Sequence, residues 1–257
     1  MVKKQKIKIA ISLIIIGILS FYFRVHIKDL FFELKKIGLP TEIKYTGTIF
    51  SSGETGKFIG INLAVPFFSQ APYGDWSLPY LEACEETSAL LVDSFYKGRE
   101  LSPEIVKQEI LQMVDWQNEK FGYYKDTTAE ETAQILREYF NYQRVDVVYD
   151  FSLEEIRAQI SSGHPVIVPV AGRLLNNPFY RQPGPIYHMM VVKGLSKEGD
   201  FITNEVGTRR GHNYVYDANI FYNAIHDGPL NVKEVSNDDL ERAILAGRKA
   251  MIIVYPN

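Results

Sequence analysis

The chain has 257 residues, 46% of them hydrophobic and 23% charged, which is enough for one sizeable core and too balanced for wholesale disorder or a collagen-like repeat. A formal net charge of −3 gives no electrostatic reason to expect nucleic acid as a partner. The single cysteine excludes an internal disulfide framework and any zinc site built on several thiolates.

The charge is unevenly spread. Residues 1–36 hold eight Lys and Arg against Asp29 and Glu33, a balance of +6, so the rest of the chain carries −9. Within this region Ile9 to Phe23 runs for 15 residues without a charge, and Lys8 and Arg24 at its ends can snorkel to the two faces of a bilayer. Phe21, Tyr22, Phe23 and Arg24 make a poor cleavage site, so residues 1–25 read as an uncleaved transmembrane signal anchor. The short Lys-rich tail then stays in the cytoplasm and the remainder is extracytoplasmic. Residues 26–60, which mix charges with Gly, Ser and Thr, read as a juxtamembrane stalk, and a globular domain is expected over 61–257.

The first half of that domain has helical signals. Cys84, Thr87, Leu91 and Phe95 recur at steps of three and four, which predicts a helix from Glu82 to Tyr96 stopped by Gly98. Ser102-Pro103 is a cap followed by a first-turn proline and opens a helix through about Asn118. Thr128 with Glu131, and Ser152 with Glu155, have capping-box spacing and start two more helices, the second ended by Gly163. Runs rich in β-branched and apolar residues predict strands at Val166–Ala171, His188–Leu195, Phe201–Asn204, Tyr214–Tyr216 and Met251–Tyr255, with a late helix from Asp238 to Ala246. Helices first and strands second imply an α+β fold, and the cleft between the two parts is the natural place for a site.

Cys84 falls in the first turn of its helix, where unpaired N–H groups and the positive end of the helix dipole favour a thiolate. Glu82, Glu85 and Glu86 oppose that shift, so a nucleophilic thiol there needs a cationic neighbour. His188 is the candidate. It opens an apolar run and follows the long loop Gly172 to Tyr187, and loops of that length are often substrate-facing. His164, His212 and His226 are weaker, and no pair of histidines has the spacing of a metal site. A base that takes a thiol proton works best when a third group orients its ring. Asn204 and Glu205, 16 and 17 residues after His188, end the next strand. Adjacent strand residues face opposite ways, so one of the two can reach the imidazole, and the sequence leaves open which. Gln70, 14 residues before Cys84, can donate from its amide to the oxyanion of a tetrahedral intermediate, beside the Cys84 backbone N–H.

Val65-Pro66-Phe67-Phe68-Ser69-Gln70 and Cys84-Glu85-Glu86-Thr87-Ser88-Ala89 resemble the opening of C39-like cysteine peptidases, a family related to papain. Segments 165–169, 187–194 and 201–211 continue the likeness in order. The resemblance implies a papain-like fold, with a helical part bearing Cys84 packed against an antiparallel sheet bearing His188. It also implies thiol-dependent hydrolysis of a peptide bond, Gln70 at the oxyanion position, a peptide or protein substrate and no cofactor. The family usually has Asp-Pro where this chain has Glu205-Val206, and Gly where this chain has Ala83. The same geometry serves acyl transfer to amines, as in transglutaminase-type enzymes, and a silent membrane-tethered binding module would keep the same fold. Both stand as alternatives.

Overall fold

A computed structural model of the chain describes residues 2–47, 60–228 and 236–256, in two units, Met1–Gly38 and Leu39–Asn257. The first unit is built on one helix, α1 (Val2–Lys36). This corrects the expectation of a membrane anchor: among the described residues, no helix is long and apolar enough to cross a membrane. The length of the uncharged run gives the physical reason. At 1.5 Å per residue it covers about 22 Å, short of the roughly 30 Å of a hydrocarbon core. The helix then continues through Lys28, Asp29, Glu33, Lys35 and Lys36. The transmembrane signal anchor, the membrane as a partner and the extracytoplasmic placement that depended on them are withdrawn. Residues 26–36, read as the start of a stalk, belong to this helix, and residues 48–59 of that stretch lie outside the described residues.

The second unit is α+β. Its strands are β1 (Glu42–Ile43), β2 (Ile61–Leu63), β3 (Arg144–Tyr149), β4 (Val166–Val170), β5 (His188–Leu195), β6 (Phe201–Asn204), β7 (Tyr214–Tyr216) and β8 (Ala250–Tyr255). They form one sheet in the order β1-β2-β5-β4-β8-β3, with β6 paired to β5 and β7 to β6. Among the described residues, all pairings are antiparallel except β1 with β2.

The helices begin and end where local chemistry dictates. Gly98, in the left-handed conformation at φ 60°, terminates α2 (Cys84–Lys97). Ser102 accepts a hydrogen bond from the Ile105 N–H and starts α3 (Pro103–Lys120). Both expected capping boxes form, Thr128 with Glu131 at α4 (Ala129–Gln134) and Ser152 with Glu155 at α5 (Leu153–Ser161). Four of these elements are absent from the sequence reading: the short strands β1 and β2, the edge strand β3 and the short helix α6 (Ala218–Ala224), whose cap is Asp217. The late helix is α7 (Asn237–Leu245).

Every residue of α2 from Cys84 to Phe95 is buried, because the helix is enclosed by α3, the turn after α4, and β5. Cys84, Leu90 and Leu91 share one apolar core with Tyr187, Met189 and Val191. Side chains alternate along a strand, so His188, Met190 and Val192 project from the other face of β5. The polar residues of α2 find partners inside the fold: Thr87 donates to the Ala83 carbonyl at 2.7 Å, and Ser88 to the Met189 carbonyl at 3.3 Å.

Candidate active site

Cys84 is the first residue of α2, after an N-cap (Ala83) that has no side-chain acceptor. Its amide therefore has no carbonyl within the helix to bond. The Sγ–H donates to Glu85 Oε2 at 3.1 Å, and the Met189 backbone N–H faces the sulphur. The thiol is thus held against the residue that follows His188. Burial, and then the Glu85 carboxyl, push the Cys84 pKa well above its ordinary value.

The nearby carboxyls are themselves displaced. Burial, with Glu86 and Asp126 alongside, pushes Glu85 well above the carboxylate range. Burial raises Glu86 to about 7, against the hydrogen bond it accepts from Gln117 Nε2. Asp126 is raised to about 6 by burial and by Glu82. Near neutral pH Glu85 is thereby biased toward its protonated form and Glu86 is only partly ionised, so the charge opposing a thiolate is smaller than the sequence suggests.

His188 opens β5 and is buried. Its Nε2 lies 2.7 Å from Glu205 Oε1, and the same oxygen accepts the Gly207 N–H at 2.8 Å. The other oxygen, Oε2, accepts the hydroxyls of Tyr180 at 2.5 Å and Tyr216 at 2.9 Å. Burial alone would raise the Glu205 pKa; the His188 charge and the hydrogen bonds from His188, Tyr180 and the Gly207 N–H outweigh it and lower the pKa below its ordinary value. Asn204 turns away from His188: its Nδ2 donates to the Val65 and Pro66 carbonyls at 3.1 and 2.9 Å.

A β-bulge decides between those two neighbours. At the turn end of the β5–β6 ladder Leu195 pairs with Phe201 and Gly194 with Ile202, but beyond the bulge Val192 pairs with Thr203 and Val191 with Asn204. Directly paired residues share a face. An unbroken ladder would set Asn204 opposite Val192, on the His188 face. The extra residue, Lys193, reverses the parity and turns Glu205 to that face instead.

Gln70 is buried, and its Nε2 donates to the Tyr80 carbonyl at 3.1 Å and the Leu81 carbonyl at 2.8 Å. It thereby holds the turn leading into Cys84. The three weaker candidates lie apart from this arrangement: His164 meets the Tyr96 hydroxyl, His212 meets Glu42, and His226 meets the Gly247 carbonyl. Among the described residues, no group of three or more His, Cys, Asp or Glu could hold a metal ion. The sequence reading missed Tyr180, Tyr216 and Gly207. Tyr180 lies in the loop singled out before His188, which was its only local signal.

Over residues 62–227 the chain matches the Peptidase_C39 like family. It is similar to a crystal structure described as a C39-like peptidase from Bacillus anthracis, at 16% identity and a TM-score of 0.45, over 78% of this chain and 99% of that one. It is also similar to a prointerpain A fragment from Prevotella intermedia, at 15% identity and a TM-score of 0.29, over 48% and 31% of the two chains. Active interpain A cysteine protease from the same organism shares 13% identity at a TM-score of 0.32, over 65% and 63%. No curated protein matches the chain.

Proposed function

The chain belongs to the Peptidase_C39 like family, and we propose that it hydrolyses peptide bonds with Cys84 as nucleophile, His188 as base and Glu205 as the group that orients the imidazole. One observation carries this reading: the buried His188–Glu205 pair at 2.7 Å opens the strand whose next amide meets the Cys84 sulphur.

Glu205 engages Nε2; because His188 is the first residue of β5, its ring can turn past the end of the strand, so that Nδ1 takes the proton of the thiol packed on the opposite face. The resulting imidazolium is stabilised by the Glu205 carboxylate and in turn stabilises the thiolate. The thiolate attacks the peptide carbonyl, His188 protonates the departing amine, and water releases the acyl group from the sulphur. The Cys84 backbone N–H stands ready for the oxyanion. Gln70 contributes the second donor by exchanging its longer bond, the one to Tyr80, for the developing charge. Asn204 keeps a structural task, tying the end of β6 to the Val65–Pro66 backbone.

A second reading has its own observation in favour. The Cys84 thiol is buried and donates to Glu85 rather than to His188, as in a binding module that keeps the fold without catalysis. Because Cys84 is the only cysteine in the chain, alkylation by iodoacetamide reads it alone. The peptidase reading expects alkylation to persist well below pH 7, with His188→Ala confining it to alkaline pH. A wild-type profile that rises only near or above pH 8.5 defeats the peptidase reading. Hydrolysis of a mixed peptide library in the presence of excess primary amine separates a peptidase, which yields free acids, from an amine acyl transferase, which yields amides.

A further inference from the structure

We propose that Tyr180 is a positioning residue that acts through Glu205, so that seating of the loop over residues 172–187 sets the charge and aim of the group holding His188. The inference rests on the Cys84–His188–Glu205 reading and extends it to a part of the chain outside that triad.

Glu205 is fully buried, and a carboxylate taken out of water stays charged only when its lone pairs are met by donors. Oε1 is met by His188 and by the Gly207 N–H, both close to Glu205 in the sequence or the sheet. Oε2 depends on the two phenols. Tyr180 comes from the loop itself. Tyr216 comes from β7, but its hydroxyl accepts the Asn177 Nδ2–H at 2.7 Å, and Asn177 also belongs to the loop. Both donors on Oε2 therefore reach back to the same segment. The Tyr180 ring also stands edge-on to the His188 ring, with centroids 5.8 Å apart and planes at 82°. Tyr214, whose own pKa the Glu205 charge helps to raise, is a further titratable neighbour, and its ring lies 4.4 Å from that of Tyr216.

The loop is shaped as a unit. Arg173 reaches the Gly184 carbonyl across its base and pairs with Glu241 of α7, and Gly172 packs so closely on Pro185 that a Cβ would lie 2.6 Å from its ring. A chain held this way delivers Tyr180 and Asn177 together or not at all. With the loop displaced, Oε2 would be a buried carboxylate oxygen without donors, and Glu205 would take up a proton at a higher pH. Protonated, it no longer stabilises the imidazolium.

The test uses the full chain with glutamate carboxyls labelled by 13C, the Glu205 resonance being identified by its loss in Glu205→Gln. Removing one hydroxyl bonded to a charged group, in Tyr180→Phe, is expected to raise the Glu205 titration midpoint by about one pH unit. The acid limb of Cys84 alkylation should move up by a similar amount. In the Glu205→Gln background the same substitution should add no shift to the alkylation profile, which a merely structural role for Tyr180 would not predict. If Tyr180→Phe does not fold, Asn177→Ala, which frees Tyr216 from the loop, takes its place with the same expected direction. An unchanged Glu205 midpoint, or an equal alkylation shift in the Glu205→Gln background, overturns the inference. A wild-type thiol unreactive below pH 7 instead overturns the peptidase reading, and the carboxyl titration still decides whether Tyr180 acts on Glu205.

Discussion

Gly207 shows how little room surrounds the imidazole. Extending the pairing of Val191 with Asn204 brings it opposite His188, and a Cβ there would lie 3.0 Å from both Glu205 Oε1 and His188 Cε1. One of those groups would have to give by a few tenths of an ångström. We expect Gly207→Ala to slow Cys84 alkylation at pH 6 by about tenfold, because misplacement on this scale is costly to reactivity. Its cost in stability should be near 1 kcal/mol. Alkylation rates and urea midpoints check the two effects separately, and an alanine variant as reactive as wild type would show that the contact does not hold the ring. At this scale the sequence identifies Cys84 and His188 as candidates because each carries a local signal, a helix start for one and a loop-to-strand junction for the other. It leaves Asn204 and Glu205 unresolved because alternation gives parity alone. Parity then depends on Lys193, whose bulged position no local pattern announces.

The bulge is itself an element-scale construction. Lys193 is fully buried, and its Nζ donates to Glu42 Oε1 on β1 and to Asn213 Oδ1 at 2.9 Å. Beside it, Gly194 is pressed against β2, where a Cβ would lie 2.4 Å from the Ile61 carbonyl oxygen and 3.0 Å from Asn62 Cα. Both are backbone atoms and cannot swing aside. Gly194→Ala is therefore expected to cost about 1–3 kcal/mol, read as a lowered urea midpoint with an unchanged slope. A midpoint within error of wild type would mean that β2 is free to shift. Elements with chemistry at their own ends were legible: Ser102, Thr128 and Ser152 cap their helices, and His188–Leu195 and Phe201–Asn204 are strands over the residues indicated. The strand β3 was not, although Arg-Val-Asp-Val-Val-Tyr is rich in β-branched residues. Its partner is β8, about a hundred residues later, and only that long-range pairing turns the segment following α4 into an edge strand.

Across the whole molecule, the sequence shows an acidic domain and cannot show which carboxyls are enclosed. The N-terminal segment illustrates the same limit from the other side, since a run of apolar residues suggested a span whose length falls short. Enclosure decides how stability depends on pH. Glu85, Glu86, Asp93, Asp126 and Asp227 all have folded pKa values raised by burial, Glu86 to about 7 and Asp126 to about 6. A raised acid binds its proton more tightly in the folded state, so its contribution is complete below the unfolded value of about 4 and is lost as pH rises through the folded value. Glu42, lowered to about 2 by His212 and Lys193 against its partial burial, and Glu205, also lowered, have the opposite sense: their contributions hold above about pH 4 and are lost on acidification. His164, whose pKa burial lowers, opposes the first trend below about pH 6.5 as one group against five. The two limbs meet in mildly acidic solution, and maximal stability is expected near pH 5. Stability should then decline toward pH 8, where Glu86 alone accounts for about 3 kcal/mol at most. Glu86→Gln retains an acceptor for Gln117 without an ionisable proton, so it should flatten the decline between pH 5 and 8 and leave the acid limb in place. Urea midpoints measured across that range check both chains, and a wild-type midpoint that is constant or rising from pH 5 to 8 would mean that these carboxyls ionise freely in the folded protein.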